Sequence, residues 1–246
     1  MDTKLVLDQE AGKMVVSVHL ADLGIAALPG FLRSKRRIEQ RDGALYAEPA
    51  VTAPLGAGRI PRPAAGRAGL IAAWDGDAAL DAFLAEDPVA ARFAGGWHVR
   101  LEPVHVFGSW AGLPGLPERA VPVDDEEPVV VLTLGRLRLR RIVPFLRSAA
   151  PAERAAVAAP GLLASSGLAR PPHLVSTFSV WRSAAAMRDY AFGRSGAHQA
   201  AVGADRRRPF HRESAFIRFR PYASAGAWDG ADPLSGFCRG RGRTPA

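Results

Sequence analysis

A chain of 246 residues holds one large domain or two compact ones, and it can bury a core without metal or disulfide staples. Hydrophobic residues at 48% and charged residues at 23% exclude a disordered chain, and the lone Cys238 excludes an internal disulfide framework and a cysteine zinc site. The net charge of +8 is nearly all arginine, since only Lys4, Lys13 and Lys35 are lysines; GC-rich coding, a nucleic-acid surface and contact with anionic lipid all stand as readings of it.

Taken in chain order, the elements repeat. Residues 14–20 (MVVSVHL) predict a strand, and a helical turn follows at Gly30-Phe31-Leu32-Arg33-Ser34. Residues 43–47 predict a weak second strand, and 53–69 form an irregular stretch, either a lid or rim loop or an extended loop. Leu70-Ile71-Ala72-Ala73-Trp74 predicts a third strand, with Asp75–Asp77 placed to cap a helix whose inner stripe is Leu80, Phe83 and Leu84. A closing strand is expected from Trp97-His98 to Phe107.

Residues 111–126 are rich in Pro, Gly and acids, which is linker composition. The pattern then restarts. Residues 129–134 (VVVLTL) predict a strand, followed by Pro144-Phe145-Leu146-Arg147-Ser148, a weak strand at 161–165, and a strand at 175–181 (VSTFSVW) ending in Trp181. Ser183 is placed to cap a helix whose Met187, Tyr190 and Ala191 match the offsets of Leu80, Phe83 and Leu84. Phe210-His211 opens a closing strand to Phe219, and His211 is matched with His98 as a structural position.

Each half therefore reads βαββαβ, the ferredoxin-like order. The expected fold is α+β, with tandem ferredoxin-like repeats at 13–110 and 127–222 forming an intramolecular α/β barrel, a linker at 111–126, and a basic flexible tail at 223–246. The space between the two sheets is both core and cavity, so an elongated apolar molecule is expected inside, near Phe178, Trp181 and Tyr190.

Local catalytic motifs are absent. There is no phosphate loop, dinucleotide fingerprint, HExxH or GxSxG. The six histidines, His19, His98, His105, His173, His198 and His211, include no pair spaced as ligands on one helix turn. A haem needs only one protein ligand, and His198 in Ser195-Gly196-Ala197-His198 is the candidate, read beside a capping or surface histidine. Arg136, Arg138, Arg140 and Arg141 extend a strand with one basic face or start a helix; such a face binds an anion or is simply solvated. Aromatics are not interleaved with the arginine clusters, which argues against specific nucleic-acid binding.

Residues 173–222 resemble the spheroidene monooxygenase family of carotenoid ketolases. The resemblance lies in Thr177-Phe178-Ser179 with Trp181, the helix Ser183 to Ala191, Gly196-Ala197-His198 with Ala200, and Phe210, Glu213, Phe216, Arg218 and Phe219. Leu132-Thr133 and Leu137-Arg138 extend it to 129–222, and the first half matches loosely. The resemblance implies a dimeric α/β-barrel relative and O2-dependent oxidation of an acyclic carotenoid. It also implies haem as cofactor and reduced ferredoxin as electron donor. It gives His198 a haem-associated role as metal ligand and Arg138 a role beside a propionate. A non-catalytic hydrophobic-ligand or haem-binding protein of the same fold is the alternative.

No stretch of about 18 apolar residues is present, and MDTKLVLDQE lacks the apolar core of a signal peptide. The expected location is the cytoplasm, with peripheral contact at an anionic membrane where a hydrophobic substrate resides; assembly into an oligomer is left open.

Overall fold

The computed structural model describes residues 13–58, 63–172, 174–193 and 209–237, with positions 196, 200 and 203. Eight strands are formed: β1 (Val15–Asp22), β2 (Ala44–Ala53), β3 (Arg67–Trp74), β4 (Trp97–Gly108), β5 (Val129–Leu137), β6 (Leu162–Arg170), β7 (Leu174–Trp181) and β8 (His211–Gly226). Outside them, the helices with described bounds are α1 (Leu28–Leu32), α2 (Lys35–Glu39), α3 (Asp77–Glu86), α4 (Pro88–Ala91), α5 (Ile142–Val157) and α6 (Ala184–Phe192).

The strands close into one barrel in the order β1-β3-β2-β6-β7-β5-β8-β4, and every pairing is antiparallel. Each half contributes a ferredoxin-like sheet, β4-β1-β3-β2 and β8-β5-β7-β6, and the sheets join at β2–β6 and β4–β8. Closure leaves no unpaired sheet edge, so one chain makes the complete barrel.

Alternation along the strands divides the apolar residues between two sides. Val130, Leu132 and Leu134 of β5 join the core inside the barrel, whereas Val129 and Val131 pack outward against α6. The interior is filled by Tyr46, Trp97, Phe178, Ile217 and Phe219 rather than left as the expected cavity. Phe178 is fully buried there, with its ring 6.0 Å from both Trp97 and Trp228.

The ends of the elements depart from the sequence expectation in instructive ways. β2 and β6 are full-length strands, because each is a seam strand whose partner lies in the other half. β5 runs on through Leu137 before a short 3-10 turn, so Arg136 extends the strand and Arg140 and Arg141 belong to the turn. Ser183 caps α6 by accepting the Ala186 N–H at 3.1 Å, as expected, whereas Gly76 occupies the cap position of α3 and no side chain caps it.

The expected tail from Ala223 begins inside the sheet. β8 continues to Gly226, Trp228 packs 5.7 Å from Trp97, and Leu234 is fully buried against the barrel interior. Glycine and arginine in this stretch suggested an unpacked end; Trp228 and Leu234 supply the apolar surface that reverses that reading. The 111–126 stretch contains no helix or strand but is anchored, with Val121 donating to the Val104 carbonyl at 2.7 Å and Arg220 donating to the Pro122 carbonyl at 2.9 Å.

Candidate functional site

Trp74 ends β3 opposite Val15, and Trp181 ends β7 opposite Val129. Counting from these anchors superposes the halves: His19 corresponds to Thr133, Ala21 to Gly135 and Leu70 to Thr177. His98 pairs with His19, and Phe216 pairs with Thr133. His98 therefore corresponds to Phe216, not to His211, which enters earlier because β8 begins sooner.

Beneath the helices of the first half the space is packed. His19 is buried against Phe83, Phe93 and His98, and Phe31 packs on Phe93 at 5.4 Å. Ser17 Oγ lies 2.9 Å from His19 Nε2 and accepts the Trp74 indole N–H at 2.9 Å. Burial pulls the His19 pKa down to about 3, with the neighbouring His98 and Arg100 adding to the effect, so the ring is neutral.

The same space in the second half is open. A cavity of about 560 Å³ lies between α5, α6 and the outer face of the sheet. Its floor is small, because Thr133, Gly135 and Thr177 replace His19, Ala21 and Leu70. At Gly135 a Cβ would stand 2.6 Å from the His211 ring, so any side chain there would have to displace that ring. Phe145, Ala149 and Glu153 on α5 face the cavity at intervals of one helical turn, as do Met187 and Ala191 on α6. Phe107 and Phe192 also line it and are 64% and 72% exposed, which marks the mouth. Pro54 and Leu55, from the irregular stretch of the first half, form part of the wall, so that stretch acts as a rim loop over the second half's cavity.

The lining is mainly apolar, with sparse polar groups. Ser176 Oγ and Arg218 Nε are buried without a hydrogen-bond partner among the described residues, and both residues line the cavity. Glu153 accepts the Gly56 N–H at 3.5 Å, and burial pushes its carboxyl above the usual range. His105 and His211 line the cavity, the latter with its ring 5.2 Å from Phe145. Among the described residues no three His, Cys, Asp or Glu side chains converge as a metal site.

The residues singled out from sequence are distributed around this cavity rather than gathered in it. Phe178 is inside the barrel, across the sheet. Trp181 is buried under α6, and Tyr190 stacks on it at 5.2 Å while donating its hydroxyl to the Ala152 carbonyl of α5 at 3.0 Å. These two residues tie the roof helices together. Arg138 is exposed beside the start of β8, its Nε donating to the His211 carbonyl at 3.1 Å. His198 lies outside the described residues. Sequence reading missed Arg218, Thr133, Thr177 and Glu153 as cavity groups. Comparing the halves position by position would have flagged Leu70 against Thr177, but it required the strand register.

No family model matches the chain. The sequence is 36% identical over 174 residues to spheroidene monooxygenase of Rubrivivax gelatinosus, covering 69% of this chain and 66% of that protein, about two thirds of its length. It is 30% identical over 187 residues to spheroidene monooxygenase of Rhodobacter capsulatus, covering 73% of this chain and 77% of that one. Among solved structures, aldoxime dehydratase in complex with butyraldoxime has a TM-score of 0.56 at 12% identity, covering 92% of this chain and 86% of that one. That likeness concerns the barrel fold.

Proposed function

The chain belongs to the spheroidene monooxygenase family, and we propose that it catalyses O2-dependent oxidation of a hydrophobic, carotenoid-like substrate with haem in the second-half cavity. The observation that carries this reading is the asymmetry of the barrel: one helix-covered space is packed with aromatic rings, and its twin is an apolar cavity of about 560 Å³. That volume falls in the ordinary range for cofactor and ligand pockets.

The lining suits haem. Apolar walls from Phe145, Met187 and Phe216 would pack on the macrocycle, and the unpartnered Arg218 Nε on the floor would meet a polar group of the ligand. When bound, haem would supply iron that activates O2, held through one protein side chain. His198, which follows α6 in the chain, is the proposed ligand. The chain's own contribution is to exclude water, orient the substrate and control access. The α5–α6 roof, held by Tyr190 and Ala152, fixes the cavity's height, and Phe107 and Phe192 give an apolar mouth for a long polyene. Reduced ferredoxin is the proposed electron donor.

The mouth also suits a membrane-resident substrate. Leu139 and Val143 are 51% and 55% exposed beside Arg138, Arg140 and Arg141, which combines apolar insertion with attraction to anionic lipid. No helix among the described residues is long and apolar enough to cross a membrane.

The test is a haemin titration of the purified protein followed by turnover of an acyclic carotenoid with O2 and reduced ferredoxin. The expected results are a saturable Soret band, a changed band in His198→Ala, and an oxygenated product that requires O2. A missing Soret band overturns the haem reading. Ligand binding without O2-dependent product establishes the non-catalytic binder instead.

A further inference from the structure

The two halves differ in one charge arrangement as well as in packing. Arg100 of β4 pairs in register with Ser17, and Arg218 of β8 pairs with Val131, so these arginines occupy the same position in their respective sheets. Arg100 is answered by two carboxylates of α3: it donates to Asp77 at 2.6 Å and to Asp81. Asp77 and Asp81 stand three and seven residues after Trp74. The residues three and seven after Trp181 are Ala184 and Arg188. The second half has thus lost one carboxylate and inverted the other.

Arg218 is left facing the cavity with its Nε unpartnered, and it forms no ion pair among the described residues. Arg188 is held by Asp125 at 2.5 Å, so that carboxylate is committed to Arg188. Glu153, the cavity's acid, bonds the Gly56 N–H and forms no ion pair with Arg218. Burial and the nearby positive Arg188 pull the Arg218 pKa downward, the signature of a cation lacking its counter-charge. Leaving a guanidinium in this state is costly, and a ligand carboxylate would relieve the cost through charge-assisted hydrogen bonds.

We propose that Arg218 is a receptor for a carboxylate carried by an otherwise apolar ligand of the second-half cavity. The inference rests on the reading that this cavity is the ligand site. The carboxylate has two sources, a haem propionate or a long-chain acid, and the chemistry at Arg218 is the same for both. Removing both carboxylates from the twin position frees the arginine, and the cavity beneath it provides space for the rest of the ligand.

The test compares haemin with haemin dimethyl ester, and a long-chain fatty acid with its methyl ester, as probes of the purified protein. Binding is read by absorption for the haemins and by tryptophan quenching for the acids. Arg218→Met is expected to weaken a free-acid probe at least tenfold and its ester less than twofold. Arg188→Asp is the sharper variant, because it restores the charge pattern of the first half. It should engage Arg218 internally, raise the melting temperature, and weaken the free-acid probe at least tenfold. If haemin fails to bind but the fatty acid binds in an Arg218-dependent way, the receptor stands and the haem reading falls. Equal losses for acid and ester in Arg218→Met, or unchanged acid affinity in Arg188→Asp, overturn the receptor.

Discussion

His19 and Thr133 hold the same register position in the two halves of the barrel, yet His19 is enclosed by Phe83, Phe93 and His98 while Thr133 opens onto a cavity. The two sheets carry different loads. The first half supplies a packed core, and the second half gives up packing to make room for a ligand. Phe83 is fully buried and stands 4.8 Å from Trp74. Phe83→Ala should therefore cost about 3–5 kcal/mol, the usual range for a buried phenylalanine. Met187→Ala, at the edge of an existing cavity, should cost clearly less. Urea denaturation of both variants checks the ranking, and equal losses would contradict the asymmetry.

Filling the cavity should separate stability from binding. Thr177→Leu copies Leu70, the residue at that position in the packed half. The added apolar atoms enter empty space, so stability should hold or rise by about 1 kcal/mol. Haemin affinity should fall at least tenfold. An unchanged affinity, measured by Soret titration, would place the ligand elsewhere.

Much of this architecture was legible in the sequence. Residues 129–134 and 175–181 alternate strongly, and the paired tryptophans with helices at matched offsets expose the duplication. The location of the cavity was not legible. Whether Phe178 faces the barrel interior or the helices depends on strand parity, and whether a helix-covered space is filled depends on volumes contributed by several elements. Thr133 and Thr177 look ordinary in one dimension; they become a cavity floor only when their partners His19 and Leu70 are seen in register. Arg218 is named in the sequence only as part of the resemblance, and its place in the cavity was hidden for the same reason. A lone arginine in a strand is unremarkable until the acids that answer its twin are found missing.

Acid should weaken the first half specifically. The pKa of His19 is about 3 in the folded protein, well below the ordinary histidine value of 6.5, and that of His98 is lowered by burial and Arg100. The unfolded chain therefore binds more protons than the folded one between these values. The stability owed to neutral His19 is complete above pH 6.5 and is lost as pH falls toward 3, by up to about 1.4 kcal/mol per pH unit. His19→Leu should flatten that slope in urea denaturation measured across pH 4–7. A slope unchanged by the substitution would assign the acid sensitivity to other groups.

The stretch after β8 should act as a structural plug with no share in binding. Asp232 accepts three hydrogen bonds, from the Trp97 indole N–H at 2.8 Å, the Ser224 hydroxyl at 2.7 Å and the Leu234 backbone N–H at 2.9 Å. It thereby holds Trp228 and Leu234 against the barrel interior, on the face of the sheet opposite the cavity. Trp97 is 1% exposed, so Asp232→Ala strands a buried indole N–H as well as loosening the turn. The expected loss is about 2–4 kcal/mol, one unsatisfied buried donor plus the lost bonds. Tryptophan emission should shift to the red as Trp97 and Trp228 meet water, while haemin affinity changes less than twofold. A large fall in affinity with the fold intact would show that the plug and the cavity are coupled through β8, which carries Arg218 on one face and Ile217 and Phe219 on the other.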